Sequence, residues 1–138
     1  MTANTQAKTQ EIRVPISPGE LIDKITILEI KSQRMTDPKK VANVSAELSL
    51  LLNTWQDSHF ATVDIGPEWQ SLRDINGKLW EIEDDIRDKE RDRQFDGRFI
   101  ELARAVYVTN DERAAVKRRI NDKLGSKIVE EKSYKEYR

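Results

Sequence analysis

Cysteine is absent from the 138 residues, so disulfide frames, thiolate zinc sites, iron–sulfur clusters and cysteine nucleophiles are all excluded. The single histidine, His59, leaves a histidine-based catalytic triad one candidate, and its place at a predicted helix end reads as a surface or helix-terminal role. Glycine occurs five times, and Gly19 and Gly97 stand alone as turn residues, so no phosphate-cradling loop is present. Neither sign of charge dominates: 24 Lys and Arg face 25 Asp and Glu, for a net charge of -1. That balance lacks the basic excess that drives binding to phosphate backbones, so nucleic acid is excluded as the main partner. Charges interrupt every apolar stretch well before the roughly 20 residues that a membrane helix needs. The opening MTANTQAKTQ holds no apolar core of a secretory signal. The expectation is a soluble, cytoplasmic protein without membrane contact.

The chain has the length of one ordinary domain. Residues 1–10 read as a disordered tail, 11–125 as the domain and 126–138 as a C-terminal tail. Ile12, Val14 and Ile16 alternate, which predicts a short strand or an extended arm. Ser17-Pro18-Gly19-Glu20 then combines an N-cap serine, proline at the first helical position and a glutamate three residues after the cap, a capping box. It opens a helix over about Pro18 to Met35, and Asp37-Pro38 starts a second that runs to about His59. Val41, Val44, Leu48, Leu51, Leu52 and Trp55 recur there at spacings of three and four. After a loop from Phe60 to Gly66, Pro67 begins a third helix with the stripe Trp69, Leu72, Ile75, Leu79, Ile82 and Ile86. Asp96 caps a fourth, which Gly125 stops. Thr109 to Glu112 has its own capping-box spacing, so a break of that helix is the alternative. The fold class is therefore all-α, an antiparallel bundle of about four helices with an extended arm and a tail. The tail is predicted to dock through Ile128, Val129, Tyr134 and Tyr137.

Function must lie in a site, so polar groups on apolar helix faces carry the most information. The first helix is apolar round nearly its whole circumference and is predicted to be covered on more than one side, with Glu29 between Ile22 and Ile25. In the third, Asn76, Glu83 and Glu90 recur beside Leu72, Leu79 and Ile86. In the fourth, the apolar face of Phe99, Leu102 and Val106 is continued by Asn110, Arg113 and Lys117 before Ile120 and Leu124. Glu29 and Glu83 are thus expected against Arg113 and Lys117, with Asn76, Asn110 and Tyr107 in hydrogen-bonding range. One reading is a structural ion-pair network, since an interior charge costs several kcal/mol unless paired. The other is an anion-binding cleft, in which Arg113 and Lys117 hold a carboxylate or phosphate and Glu29 or Glu83 orients it or transfers a proton.

The run Glu81 to Arg93 sets Glu81, Asp84, Asp85 and Asp88 at the spacing by which all-α nucleotide pyrophosphohydrolases hold magnesium. The same run carries Arg87, Lys89, Arg91 and Arg93. Glu83/Arg87 and Asp85/Lys89 at i,i+4 predict a solvated helix laced with surface pairs, with no metal or cofactor. Trp55, Trp69 and Trp80 read as packing residues, Trp80 lying off the main stripe.

SPGELIDKITILEIK (17–31), LWEIEDDIR (79–87), FIELARAVYVTNDERA (99–114) and VEEKSYKEY (129–137) together resemble a bacterial family of small single-domain proteins of unknown function, over residues 12 to 137. The resemblance implies a complete single-domain member and a link with surface-polysaccharide biosynthesis, without supplying an activity. It also marks Glu29, Glu83, Arg104, Tyr107, Asn110, Asp111 and Arg113 as shared positions. The functional expectation is a non-catalytic accessory domain that meets another protein or a second copy of itself. The alternative is a small helical enzyme or binding domain for an anionic molecule, a phosphate or carboxylate such as a nucleotide or sugar nucleotide, held by Glu29, Glu83, Tyr107, Asn110, Arg113 and Lys117.

Overall fold

The computed structural model describes residues 10–138, so the predicted disordered tail, apart from Gln10, lies outside the described residues. The Ser17 hydroxyl accepts the Glu20 amide at 3.1 Å and opens α1, Pro18–Arg34. The reciprocal half of the predicted capping box is replaced by a distant contact: the Glu20 carboxylate turns to Lys117 on the last helix. Asp37 accepts the Lys39 amide at 3.0 Å and caps α2, Pro38–Asp57, two residues shorter than predicted. His59–Thr62 forms a short 3-10 turn, in which exposed His59 stacks on Phe60. Next come α3, Gly66–Arg91, and α4, Gly97–Leu124, the latter capped by Asp96 and ended by left-handed Gly125. The break foreseen at Thr109 does not occur. Thr109 is 1% exposed at the middle of a continuous helix, so tertiary packing overrides its local capping signal. Among the described residues there is no strand, and the arm at Ile12 and Val14 is exposed.

α1 packs against each of the other three helices, whereas α2 packs chiefly on α1. This explains a helix apolar round nearly all its circumference: up to Ile30 only Glu20, Lys24, Ile27 and Glu29 approach solvent, and the last turn from Lys31 is more open. Leu21, Ile22 and Ile25 meet Trp55, Ile65, Leu72, Val116 and Ile120 in one core. Trp55 and Trp69 join there edge to face, with centroids 6.1 Å apart. α3 and α4 form an antiparallel hairpin, tied by Lys123 to Glu68 at one end and by Lys89 to Asp96 at the turn. With 26 and 28 residues, these helices are about 40 Å long, against about 25 Å for α1. The hairpin therefore runs past α1, and at its tip Phe95 and Ile100 are exposed.

Candidate functional site

An acid on the covered face of a helix packed by three others has no water to pair with. Asp23 is such a residue, 1% exposed on α1. Its carboxylate accepts Arg113 Nε at 2.9 Å and an Arg113 terminal nitrogen, a two-pronged contact from α4. Asn76 of α3 donates to the same Asp23 oxygen at 2.9 Å and to Thr26 Oγ1 at 3.0 Å, and the Thr26 hydroxyl donates to the Asp23 carbonyl at 2.8 Å. Asn110 accepts Arg113 Nη1 at 3.4 Å. Three helices thus meet on one carboxylate. One turn along, Lys117 Nζ lies 2.5 Å from Glu20 and 3.3 Å from Glu130 of the tail. The Ser17 hydroxyl donates to Glu130 at 2.5 Å. At the end of this seam the Gly19 amide donates to Asn121 Oδ1 at 2.7 Å.

The electrostatics move these groups away from neutrality. Burial pushes the Asp23 carboxyl up, but the Arg113 and Asn76 hydrogen bonds and the Arg113 charge outweigh it and hold the group below its ordinary value. The bond to Asp23 raises Arg113. Burial opposes the charge on Lys117, yet Glu20, Asp23 and Glu130 together raise it. General acid–base catalysis needs a group that exchanges a proton near the working pH, and Asp23, Arg113 and Lys117 are all driven the other way. Three carboxylates, Asp23, Glu20 and Glu130, face the two cations.

The predicted partners are exchanged. Glu29 does not reach Arg113 or Lys117: it accepts Trp69 Nε1 at 3.1 Å and stands 3.8 Å from Arg73. Glu83 pairs with Arg87 on the surface of α3, as the i,i+4 spacing predicted, and is not part of the interior cluster. The α1 acids beside the α4 cations are Asp23 and Glu20, because α1 runs antiparallel to α4 and the pairs 19/121, 20/117 and 23/113 fall in step. Tyr107 is 44% exposed and makes no hydrogen bond to the cluster: its ring meets Tyr137 of the tail, and it lines the same groove as Asn110, Arg113 and Lys117. Asn110, Arg113 and Lys117 stand together as the stripe on α4 predicted. The Asp85/Lys89 pair is not formed, since Lys89 turns to Asp96 and Asp85 faces Arg98 at 4.0 Å. Glu81 pairs with Arg34, and among the described residues no group of three or more acids and histidines is placed to hold a metal.

The tail returns along α4. Arg118 donates to the Glu130 carbonyl at 3.1 Å, Lys132 pairs with Asp111, and Tyr137 donates to Asp111 at 2.6 Å with its ring 4.9 Å from that of Tyr107. Of the two tyrosines expected to dock, Tyr137 does so and Tyr134 is left 84% exposed. Tail and helix enclose an open groove of about 1620 Å³. Burial pushes Glu130 up, but Ser17 and Lys117 bring it below its ordinary value, and the bonds from Lys132 and Tyr137 do the same for Asp111. Carboxylates lowered by folding contribute stability above their unfolded values, about pH 4, and lose it as pH falls through the lowered ones. The mutual ring-current shifts of Tyr107 and Tyr137 are therefore expected at pH 7 and lost as acidification passes below the ordinary carboxylate range, through the lowered value of Asp111. Shifts unchanged throughout that NMR titration would contradict the docking.

No curated protein and no solved structure matches the chain. A family model does, over residues 12–137, and it is described as a family of unknown function (DUF6165); the chain belongs to that family.

Proposed function

We propose that the protein is a cytoplasmic, non-catalytic helical accessory domain whose work is done by its surface on another protein. The observation that carries this reading is the closure of the interior charge cluster: Asp23 with Arg113, and Lys117 with Glu20 and Glu130. A small anion competing for Arg113 would have to displace the Asp23 carboxylate, whose side chain is 1% exposed, and leave it buried without its partner. The surface, by contrast, exposes apolar side chains at both extremities, Ile12 and Val14 in the arm and Phe95 and Ile100 at the hairpin tip, the kind of group that association covers. No helix among the described residues is long and apolar enough to cross a membrane, which accords with a cytoplasmic place.

The test is a thermal-shift screen of the full chain against divalent metals, nucleotides, sugar nucleotides, sugar phosphates and dicarboxylates. A ligand at 100 times its dissociation constant stabilises by roughly 2.7 kcal/mol, a shift of several degrees. The expected result is no shift across the panel. A stabilisation by a phosphate or carboxylate that disappears in Arg113→Lys would instead establish the anion cleft.

A further inference from the structure

The groove along α4 already holds a peptide, the chain's own tail. Its contacts fall into three kinds. The Glu130 carboxylate takes the Ser17 hydroxyl and Lys117, the carbonyl of the same residue takes Arg118, and the Tyr137 ring meets Tyr107 edge to face at 74° with its hydroxyl on Asp111. Such contacts read an extended segment: a side-chain acid, a main-chain carbonyl and an aromatic side chain seven residues on. The occupant is lightly held. Residues 127–138 are all exposed and contain neither helix nor strand, so almost no apolar area secures them, and exposed ion pairs contribute little. The receiving wall is part of the packed helices instead: Ser17 is 1% exposed at the cap of α1, and Lys117 and Arg113 lie one turn apart on α4.

We propose that this groove is a docking site for an extended peptide segment of a partner protein that carries a glutamate, a basic residue two positions on and an aromatic ring seven positions on, and that residues 126–138 are its built-in competitor. The inference rests on the accessory-domain reading above and gives that reading a surface and a class of partner. The pattern of charges sets the class, since the resident segment sets acids against Lys117 and Arg118 and a lysine against Asp111. With the tail lifted, Lys117 and Arg118 face the groove beside Glu20, and Glu130 and Glu131 no longer answer them. A segment with an acid at the Glu130 position restores the pairing, and an aromatic residue at the Tyr137 position restores the ring contact. Tethering makes the tail a strong rival, because a short linker gives it an effective concentration in the millimolar range. The apparent affinity of an incoming peptide is reduced by the fraction of molecules whose groove is closed.

The probe is a fluorescent synthetic peptide, SKIVEEKSYKEYR, the sequence of residues 126–138, read by polarisation against the full-length chain. Two variants loosen the resident tail independently, Glu130→Gln in one and Tyr137→Ala with Lys132→Ala in the other, and both leave the helices untouched. Saturable binding is expected to be at least about tenfold tighter to either variant than to the unaltered chain, as release of a competitor requires. Replacing the glutamate at the Glu130 position of the peptide by glutamine is expected to weaken binding about tenfold. Absence of saturation at millimolar peptide with both variants would overturn the proposal, as would indifference to that glutamine. Complete competition by inorganic phosphate at the concentration of the peptide would overturn it too, by showing a site for a bare oxyanion. None of these failures touches the accessory-domain reading, which the thermal-shift screen decides separately.

Discussion

Arg113→Met is expected to destabilise the protein by about 3 to 5 kcal/mol, because it strands the Asp23 carboxylate at 1% exposure. For a domain of this size that is a fall in Tm of roughly 10 to 20 °C. The sign follows from the geometry. Two Arg113 nitrogens satisfy Asp23, and without them Asn76 alone remains on its Oδ1. The carboxyl must then take up a proton or admit water. The pH dependence follows as well. Asp23 lies below its ordinary value in the folded chain, so its contribution is full above about pH 4 and fades as pH falls through the lowered value. In Arg113→Met that source of acid sensitivity is reversed, since an unpaired buried carboxyl is raised and the variant gains stability on mild acidification. Urea denaturation at pH 7 and pH 5 measures both effects. Equal stability of variant and parent at pH 7 would mean that water already reaches Asp23.

The second large effect is steric. A Cβ placed on Gly19 would lie 2.5 Å from the Lys117 carbonyl oxygen and 2.9 Å from Asn121 Oδ1. The first of these is α4 backbone and cannot swing aside, so the helices must separate where the Gly19 amide bonds Asn121. Gly19→Ala is expected to cost about 3 kcal/mol, the upper end for overpacking, and to loosen the Glu20–Lys117 pair with it. Gly77 supplies the control. It sits inside α3 with open space where its Cβ would be, so Gly77→Ala is expected to stabilise by about 0.5 to 1 kcal/mol. Opposite signs for two Gly→Ala changes, measured by urea denaturation, distinguish close helix contact from propensity; a neutral Gly19→Ala would contradict the α1–α4 approach.

Much of this architecture is legible in the sequence because its signals are local. Ser17-Pro18, Asp37-Pro38, Asp96 and Gly125 cap helices where they were expected to. The polar interruption Asn110, Arg113 and Lys117 marks one wall of the cluster, since three residues at helical spacing must share a face. The other wall was misassigned for a physical reason. A helical wheel ranks residues within one helix and says nothing of the register between two helices, so Glu29 and Glu83 were as plausible as Asp23 and Glu20. The available signal was negative: on a helix apolar nearly all round, Asp23 has no solvent face, which makes it the acid most in need of a partner. Glu130 was beyond reach, because a polar tail without periodicity carries no indication of where it lies.

The central claim, that the interior charges hold the helices together and are complete in themselves, is tested most directly by a double-mutant cycle between Asp23 and Arg113. Stability would be measured for the parent, Asp23→Leu, Arg113→Met and the double variant. The account predicts that Arg113→Met costs more than Asp23→Leu, since the Arg113 side chain is 30% exposed and can turn to water while that of Asp23 is 1% exposed. It also predicts that the double variant recovers at least about 2 kcal/mol relative to the sum of the singles, as contacting charges require. Additive effects, with Arg113→Met within about 0.5 kcal/mol of the parent, would contradict it and return Arg113 to the role of a ligand-binding residue.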